Sequence, residues 1–331
     1  MYNIYSNNAK VLQYNKIVYF EKTLIIETYI IGYKSEGEAI LFFVRSDGGI
    51  SFSGLVDCYK LADVDKVSEI LINNHIQELD FICWTHPDSD HSKGLKEVMN
   101  IYASKKTQIW IPEGVDATEI KCGNEVQELF LYLKKCSVEM QPSLNVYSAS
   151  DKKDLLCYSS VCFQKGTESF PLKLISYAPN SKIIRKQNYM EEFIKNDRSI
   201  FFVVALGEVR IFLTGDIEDA TVGQIPREFV QEHIHIMKIP HHGSETSTSF
   251  LELGWSECDV ACATVYRRGH SNLPENSVMN QYKQNAEMLF CTGRVNKDDE
   301  QEKYGILKVV TNVLEKTYTV DLEGNTARWN G

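Results

Sequence analysis

No apolar run in this chain of 331 residues approaches the ~20 residues that a membrane-spanning helix needs. The opening Met1-Tyr2-Asn3-Ile4-Tyr5-Ser6 has no charged stretch followed by an apolar one, so no secretory leader is expected. The sequence reads as a soluble, cytoplasmic protein without membrane contact. None of the nine cysteines, at 58, 83, 122, 136, 157, 162, 258, 262 and 291, forms a C-x-x-C pair. One thiol is left odd, which suits a reducing compartment and makes apolar filler their ordinary role. Positive charge is also short: 35 Lys and Arg stand against 45 Asp and Glu, a net charge of −10. That excludes a generally basic surface of the kind that grips long nucleic acid through its phosphates. A local basic stretch exists at Lys182-Ile183-Ile184-Arg185-Lys186 with Lys195 and Arg198, interrupted by Glu191, Glu192 and Asp197. It reads as a solvated helix of mixed charge in preference to a lid. Internal repeats and low-complexity segments are absent, and no histidine falls between His91 and His233.

What is present is a recurring unit of a short apolar strand followed by histidine or aspartate. Leu79-Asp80-Phe81-Ile82-Cys83-Trp84 runs into Thr85-His86-Pro87-Asp88-Ser89-Asp90-His91, four potential ligands in six residues. A tight loop at a strand's C-terminal end can turn several side chains toward one point, as a dinuclear metal site requires. A loop that only needs to turn has no use for two imidazoles. Arg210-Ile211-Phe212-Leu213-Thr214-Gly215-Asp216 ends a strand in an acid placed to bridge two metals. Ile236-Met237-Lys238-Ile239-Pro240-His241-His242-Gly243-Ser244 delivers two more histidines, and Tyr266-Arg267-Arg268-Gly269-His270-Ser271 another. Ligands at four strand ends argue for one shared site.

The wider pattern suits alternating layers. Val18-Tyr19-Phe20, the run from Thr23 to Ile31, the run from Ala39 to Val44 and the run from Ile50 to Val56 are β-branched or aromatic, with a turn at Gly48-Gly49. Apolar spacing predicts helices over Val64–Ile76, from Leu95 after Gly94, and over Glu125–Met140. Gly305–Val310 and Lys316–Leu322 alternate like closing strands. At 43% hydrophobic content the chain can bury a large core.

H-x-D-x-D-H after a strand, T-G-D after a later one, and K-x-P-H-H-G-S followed by G-H together resemble the metallo-β-lactamase fold superfamily. Within it the strongest resemblance is to the hydrolase domain of the bacterial DNA-uptake protein ComEC and its stand-alone soluble relatives, which carry aspartate where Asp88 stands. The resemblance runs from about Gly49 to the C-terminus and takes in Val56-Asp57-Cys58 and Asn196-Asp197-Arg198-Ser199. It weakens between about Lys105 and Leu172. It implies an α+β fold, an αββα sandwich of two mixed sheets flanked by helices, as one hydrolase domain over 1–331 with an insertion at about 105–172. It further implies that His86 and Asp88 hold one divalent ion, that Asp90 and His91 hold a second, and that Asp216 bridges them. His270 is expected to complete the second site, and His241 is counted with the ligands, although the roles of His241 and His242 are not divided. Asp90, His241, His242 and His270 are the expected catalytic set. Asp57 matches the acid that braces the metal loop from behind, where a carboxylate fixes the tautomer of a ligating imidazole.

One departure stands out. The superfamily supplies a further histidine to the first ion between H-x-D-x-D-H and the bridging acid, and here Ala178 of Leu174-Ile175-Ser176-Tyr177-Ala178-Pro179 stands in that place. One ion or two are therefore both compatible with the sequence. Histidines suit zinc, while three carboxylates and no cysteine shift the balance toward manganese. Lys238, Ser244, Arg267 and Arg268 lie where they could neutralise a developing oxyanion. The leading expectation is hydrolysis of a phosphodiester in a nucleotide or nucleic acid by metal-activated hydroxide. Lactone, lactam or ester hydrolysis on the same fold is the alternative, and a non-catalytic scaffold with a homodimer or partner-protein role is a third.

Overall fold

The β-branched and aromatic runs near the N-terminus fold as strands. The computed structural model describes residues 15–330 except 35, 116–121, 139–142, 191–192, 227–232, 256 and 295–296. In it β1 (Lys16–Tyr19), β2 (Leu24–Tyr33), β3 (Gly37–Ser46) and β4 (Gly49–Val56) precede the first helix. Asp47 and Gly48, at φ 48° and 86°, make the two-residue turn between β3 and β4. An Asp-Gly pair meets that demand for two positive φ values at small cost. The turn lies one residue earlier than Gly48-Gly49, because Gly49 already pairs with Ser46.

Helix α1 (Lys66–Asn73) starts where the Asp65 carboxylate accepts the Ser68 N–H at 2.9 Å. Then come β5 (Phe81–Cys83), α2 (Ser89–Ser92), α3 (Leu95–Tyr102), β6 (Gln108–Pro112), α4 (Asn124–Val138), β7 (Asn145–Ala149), β8 (Lys153–Asp154), β9 (Val161–Lys165) and β10 (Glu168–Ala178). The remainder is α5 (Ser181–Met190), β11 (Phe201–Leu206), β12 (Val209–Leu213), α6 (Asp219–Val222), β13 (Ile234–Lys238), β14 (Cys258–Ala263), α7 (Asn276–Tyr282), β15 (Ala286–Cys291), β16 (Tyr304–Asn312), β17 (Thr317–Gly324) and β18 (Ala327–Arg328).

The strands form two mixed sheets. One runs β17-β16-β2-β3-β4-β5-β6-β7, and the other runs β1-β9-β10-β11-β12-β13-β14-β15-β18 with β8 beside β10. Between them lies an apolar layer to which both contribute, including Phe42, Phe52 and Phe81 from the first sheet and Phe202, Val204 and Ile211 from the second. The rings of Phe81 and Phe202 meet across the seam with centroids 5.6 Å apart. Val67, Leu71, Leu95, Met99 and Leu129 of α1, α3 and α4 cover the outer face of the first sheet. Val222, Val278, Met279 and Tyr282 of α6 and α7 cover the second. This is an αββα sandwich.

The stretch at about 105–172 is not appended to this frame but woven into it. It supplies β6 and β7 to one sheet and β9, with the start of β10, to the other. Five-residue strands such as Gln108-Ile109-Trp110-Ile111-Pro112 are too short to stand out by periodicity. The helix expected over Glu125–Met140 is α4, and Met140 lies outside the described residues. Among the described residues no helix is long and apolar enough to cross a membrane.

β4, β5 and β6 run parallel, as do β12, β13, β14 and β15. Their C-terminal ends therefore cluster at one rim of the sandwich. At the opposite end, His235 is buried and its Nδ1 accepts the Arg210 N–H at 3.3 Å. Burial, then the charges of His233 and Arg210, lower its pKa to about 4. The unfolded chain, with an ordinary histidine near 6.5, binds the extra proton between those values. His235 therefore stabilises the fold fully above pH 6.5 and loses that contribution as pH falls toward 4, by about 1–2 kcal/mol after allowance for solvent screening. Urea unfolding at pH 5 and pH 7.5 should show that much more pH dependence in the native chain than in His235→Gln. Equal dependence in the two would remove His235 from the account.

Candidate metal centre

Because parallel strands bring their C-terminal ends together, each ligand-bearing loop opens on the same rim. Asp57 follows β4, His86 follows β5 and leads into the single turn α2 that carries Asp90 and His91, Asp216 follows β12, and His242 follows β13. Gly215 is required in Thr214-Gly215-Asp216: its φ is 53°, and a Cβ there would sit 2.4 Å from Ser199 Oγ and 2.9 Å from the Ile200 carbonyl. That approach lets Ser199 Oγ accept the Asp216 N–H at 2.9 Å.

Asp90, His91, Asp216 and His242 each offer an atom within 4.8 Å of the others, and all four are buried. His91 Nε2 lies 3.3 Å from Asp90 Oδ2 and 3.3 Å from Asp216 Oδ2. His242 Nε2 lies 3.2 Å and 3.3 Å from the same two oxygens. Four donors about 2.0–2.1 Å from a common centre at tetrahedral corners are about 3.3–3.4 Å apart, so these spacings fit a divalent ion. His86 Nε2 stands at the side of the cluster, 3.7 Å from Asp216 Oδ2 and 3.6 Å from Asp88 Oδ2.

The surroundings fix which nitrogen faces inward. Thr85 Oγ1 donates to Asp57 Oδ2 at 2.6 Å and so accepts from His86 Nδ1 at 3.0 Å. Asp57 Oδ2 accepts from His91 Nδ1 at 2.8 Å. The carbonyl of Thr264 accepts from His242 Nδ1 at 3.2 Å. With all three Nδ1 atoms engaged behind, it is Nε2 of each ring that faces the cluster, as ligation demands. The Nε2 atoms of His86 and His91 are buried without a hydrogen-bond partner. Such orphans are costly unless a cation completes them.

Charge accumulates to match. Burial alone would push the His242 imidazolium down, yet Asp216 and Glu38 outweigh it and carry its pKa up to about 9. His91 rises likewise against its burial, drawn by Asp216, Asp90 and Glu38. Asp216 falls well below the ordinary carboxylate range, because Lys238 and the two imidazoles overcome its desolvation. A pocket that holds protons this firmly on metal-ligating atoms favours any cation that reaches the same lone pairs.

Strained backbone marks the site. Asp57, His241 and His242 are held at φ of 54°, 47° and 55°, a region that non-glycine residues enter at a cost and that clusters at functional sites. This turn throws the two adjacent histidines opposite ways. His242 enters the cluster. His241 stays at the rim, with Nδ1 3.0 Å from Thr246 Oγ1 and 3.2 Å from Glu218 Oε1. The structure thus brings His242, and not His241, into the cluster where a ligand was expected from His241. His270 is exposed and is absent from the cluster. Its loop is pinned at the base, where Tyr266 and Leu273 exchange hydrogen bonds of 3.1 and 2.8 Å, and the tip carries His270 outward. The Tyr266 ring, by contrast, stacks on His242 with centroids 5.2 Å apart.

Glu38, at the start of β3, is a buried side chain beside the cluster that motif reading misses. Because β3 runs antiparallel to β4, its beginning lies at the same rim. Glu38 Oε1 and Asp216 Oδ1 each lie 3.0 Å from Lys238 Nζ, and all three groups are buried. Lys238 is therefore a buried counter-ion to two acids, not a group facing substrate. A charged residue inside the apolar run Gly37-Glu38-Ala39-Ile40-Leu41-Phe42 was the available signal. Arg267 is turned toward Glu300 at 2.9 Å, and Ser244 accepts from the Thr246 N–H at 3.3 Å. Ala178, buried at the end of β10, offers no ligand.

The Asn196-Asp197-Arg198-Ser199 segment is a buttress. Arg198 is buried, with Nε donating to Gln187 Oε1 at 3.2 Å and Nη2 to Asn188 Oδ1 at 2.7 Å, so it forms no part of a basic surface. Lys182 and Lys186 of α5 line a neighbouring cavity of about 510 Å³ with Ile194 and Gln224. Glu191 and Glu192 lie outside the described residues.

A second His and Asp group, His233, His235 and Asp259, sits at the far end of the second sheet. There His235 Nδ1 accepts an amide proton, so its Nε2 carries hydrogen and presents no lone pair.

No family model matches the chain. Over 88 residues it is 35% identical to the "Uncharacterized protein YcaI" of Escherichia coli K12, a match covering 26% of this chain and 12% of that protein's length. It is also similar to the crystal structure of a protein from Parabacteroides distasonis ATCC 8503 named "Putative metal-dependent hydrolase", with 15% identity, a TM-score of 0.38, and coverage of 77% of this chain and 92% of that one.

Proposed function

We propose that this chain is a metal-dependent hydrolase of the metallo-β-lactamase type, acting on a phosphodiester. The observation that carries the reading is the convergence of Asp90, His91, Asp216 and His242 with the Nε2 atoms of His86 and His91 left without hydrogen-bond partners. A divalent ion bound there supplies Lewis acidity and a lowered water pKa. Two imidazoles and two carboxylates at tetrahedral spacing favour zinc, and manganese is the other ion to test.

The chain's own residues divide the remaining work. Asp57, Thr85 and Thr264 hold the ligating imidazoles in one tautomer. Asp90, held deprotonated against its burial by His91 and His242, is ready to accept a hydrogen bond from a water at the cluster. At the rim His241 pairs with Glu218 and Lys195 with Asp88. Lys93 Nζ lies over the Tyr59 ring, 5.2 Å from its centroid. The net charge of −10 supports a compact substrate over long nucleic acid.

Purified protein stripped of metal and reloaded with zinc or manganese should hydrolyse an aryl phosphodiester, and the stripped form should not. Turnover of a lactone or lactam panel with none on phosphodiesters would transfer the assignment to that chemistry. Failure of the protein to retain either ion would leave the fold as a scaffold.

A further inference from the structure

We propose that Lys195 takes the place of a second metal ion, so that each chain binds one divalent ion and supplies the neighbouring positive charge from its own ammonium group. The inference rests on the metal-hydrolase reading and concerns the half of the site that the four-ligand cluster leaves over.

That half contains His86, Asp88 and one oxygen of Asp216. Its separations of 3.6 and 3.7 Å are wider than the 3.2–3.3 Å of the complete cluster. Asp216 Oδ2 is already shared with His91 and His242, and its Oδ1 is held by Lys238. Three donors, one of them shared, make a poor cage for a second dication, whereas the ammonium of Lys195 is hydrogen-bonded directly to Asp88 Oδ1.

The delivery of that ammonium is built. Lys195 immediately precedes the 3-10 turn Asn196–Arg198. Asn196 Nδ2 donates to Glu218 Oε1 at 3.1 Å, Thr221 Oγ1 donates to the Asp197 carbonyl at 3.3 Å, and buried Arg198 is bonded to Gln187 and Asn188. Ser199, at the end of the same segment, holds the amide of Asp216. One rigid piece of chain therefore sets both the shared acid and the lysine relative to each other. An ammonium there balances the charge of Asp88 without demanding the coordination number of a metal, and it leaves Nζ protons free to meet a substrate oxygen.

Metal analysis and titration calorimetry with Mn²⁺ alone, joined to electron paramagnetic resonance of the loaded protein, test this without reference to activity. The native chain should hold one ion and give the signal of an isolated Mn²⁺. Lys195→Ala should admit a second, weaker ion, and Lys195→His, which restores a donor in that space, should bind the second ion more tightly and give a spin-coupled signal. Both variants should melt within a few degrees of the native chain, because the lysine and its partner are partly exposed. Two ions in the native chain would overturn the role of Lys195 and leave the hydrolase reading standing. A single ion in both variants would also overturn it, since the lysine would then not be what fills the position. No ion in the native chain would overturn both.

Discussion

Asp216→Asn should retain no stoichiometric ion after dialysis and should lose hydrolysis by ~100-fold or more. The side chain keeps its size, so the change isolates charge. Asp216 Oδ2 lies near all three inward-facing nitrogens, 3.3 Å from His91, 3.3 Å from His242 and 3.7 Å from His86. Residues behind a ligand already cost 10- to 100-fold when changed, and loss of the shared ligand should exceed that. Metal content by elemental analysis and turnover on the aryl phosphodiester read the two losses separately. Native metal content in the variant would remove Asp216 from the centre, and native turnover would remove the centre from catalysis.

Lys238→Met should destabilise the metal-free protein by about 3–5 kcal/mol, the range for removing one partner of a buried ionic group. Methionine fills a similar volume, so packing changes little. Lys238 Nζ lies 3.0 Å from Glu38, 3.0 Å from Asp216 and 3.0 Å from the Gly215 carbonyl, all shielded from water. Burial opposes its charge, yet Asp216 and Glu38 raise its pKa above the ordinary lysine value. Without the ammonium two buried carboxylates face one another. Urea midpoints measure the deficit, and saturating divalent ion should reduce it, because the ion neutralises part of the charge on Asp216. An unchanged midpoint in metal-free protein would show that the two acids take up protons without penalty.

The difference between Glu38 and Asp216 explains what was legible in the amino-acid order. His86 and Asp216 each come within three residues of a short apolar run, and Asp90 and His91 share the loop of His86, so strand and candidate ligand can be read in one window. Glu38 acquires meaning only through Lys238, two hundred positions later, and Thr264 only through the ring of His242. His241 and His242 are chemically identical neighbours, and a pair of positive φ values decides which enters the cluster. His270 follows a strand as the others do, but the loop that carries it closes on Tyr266 and Leu273 and turns its tip to solvent. The layered architecture could be read from strands with clear alternation, such as β16 and β17. The short strands β6 and β9 could not, since a sheet recruits them by pairing as much as by their own pattern.

The two sheets divide the ligands between them. Of the four clustered side chains that could hold an ion, loops of the first carry Asp90 and His91, and loops of the second carry Asp216 and His242. An ion at the rim is therefore a clasp across the seam: neither half can hold it alone, and separating the sheets requires releasing it. Ion binding should slow amide exchange on the facing strands of both sheets together, far from the rim itself. Affinity for the ion and resistance to opening are then one free energy, shared by both halves of the sandwich.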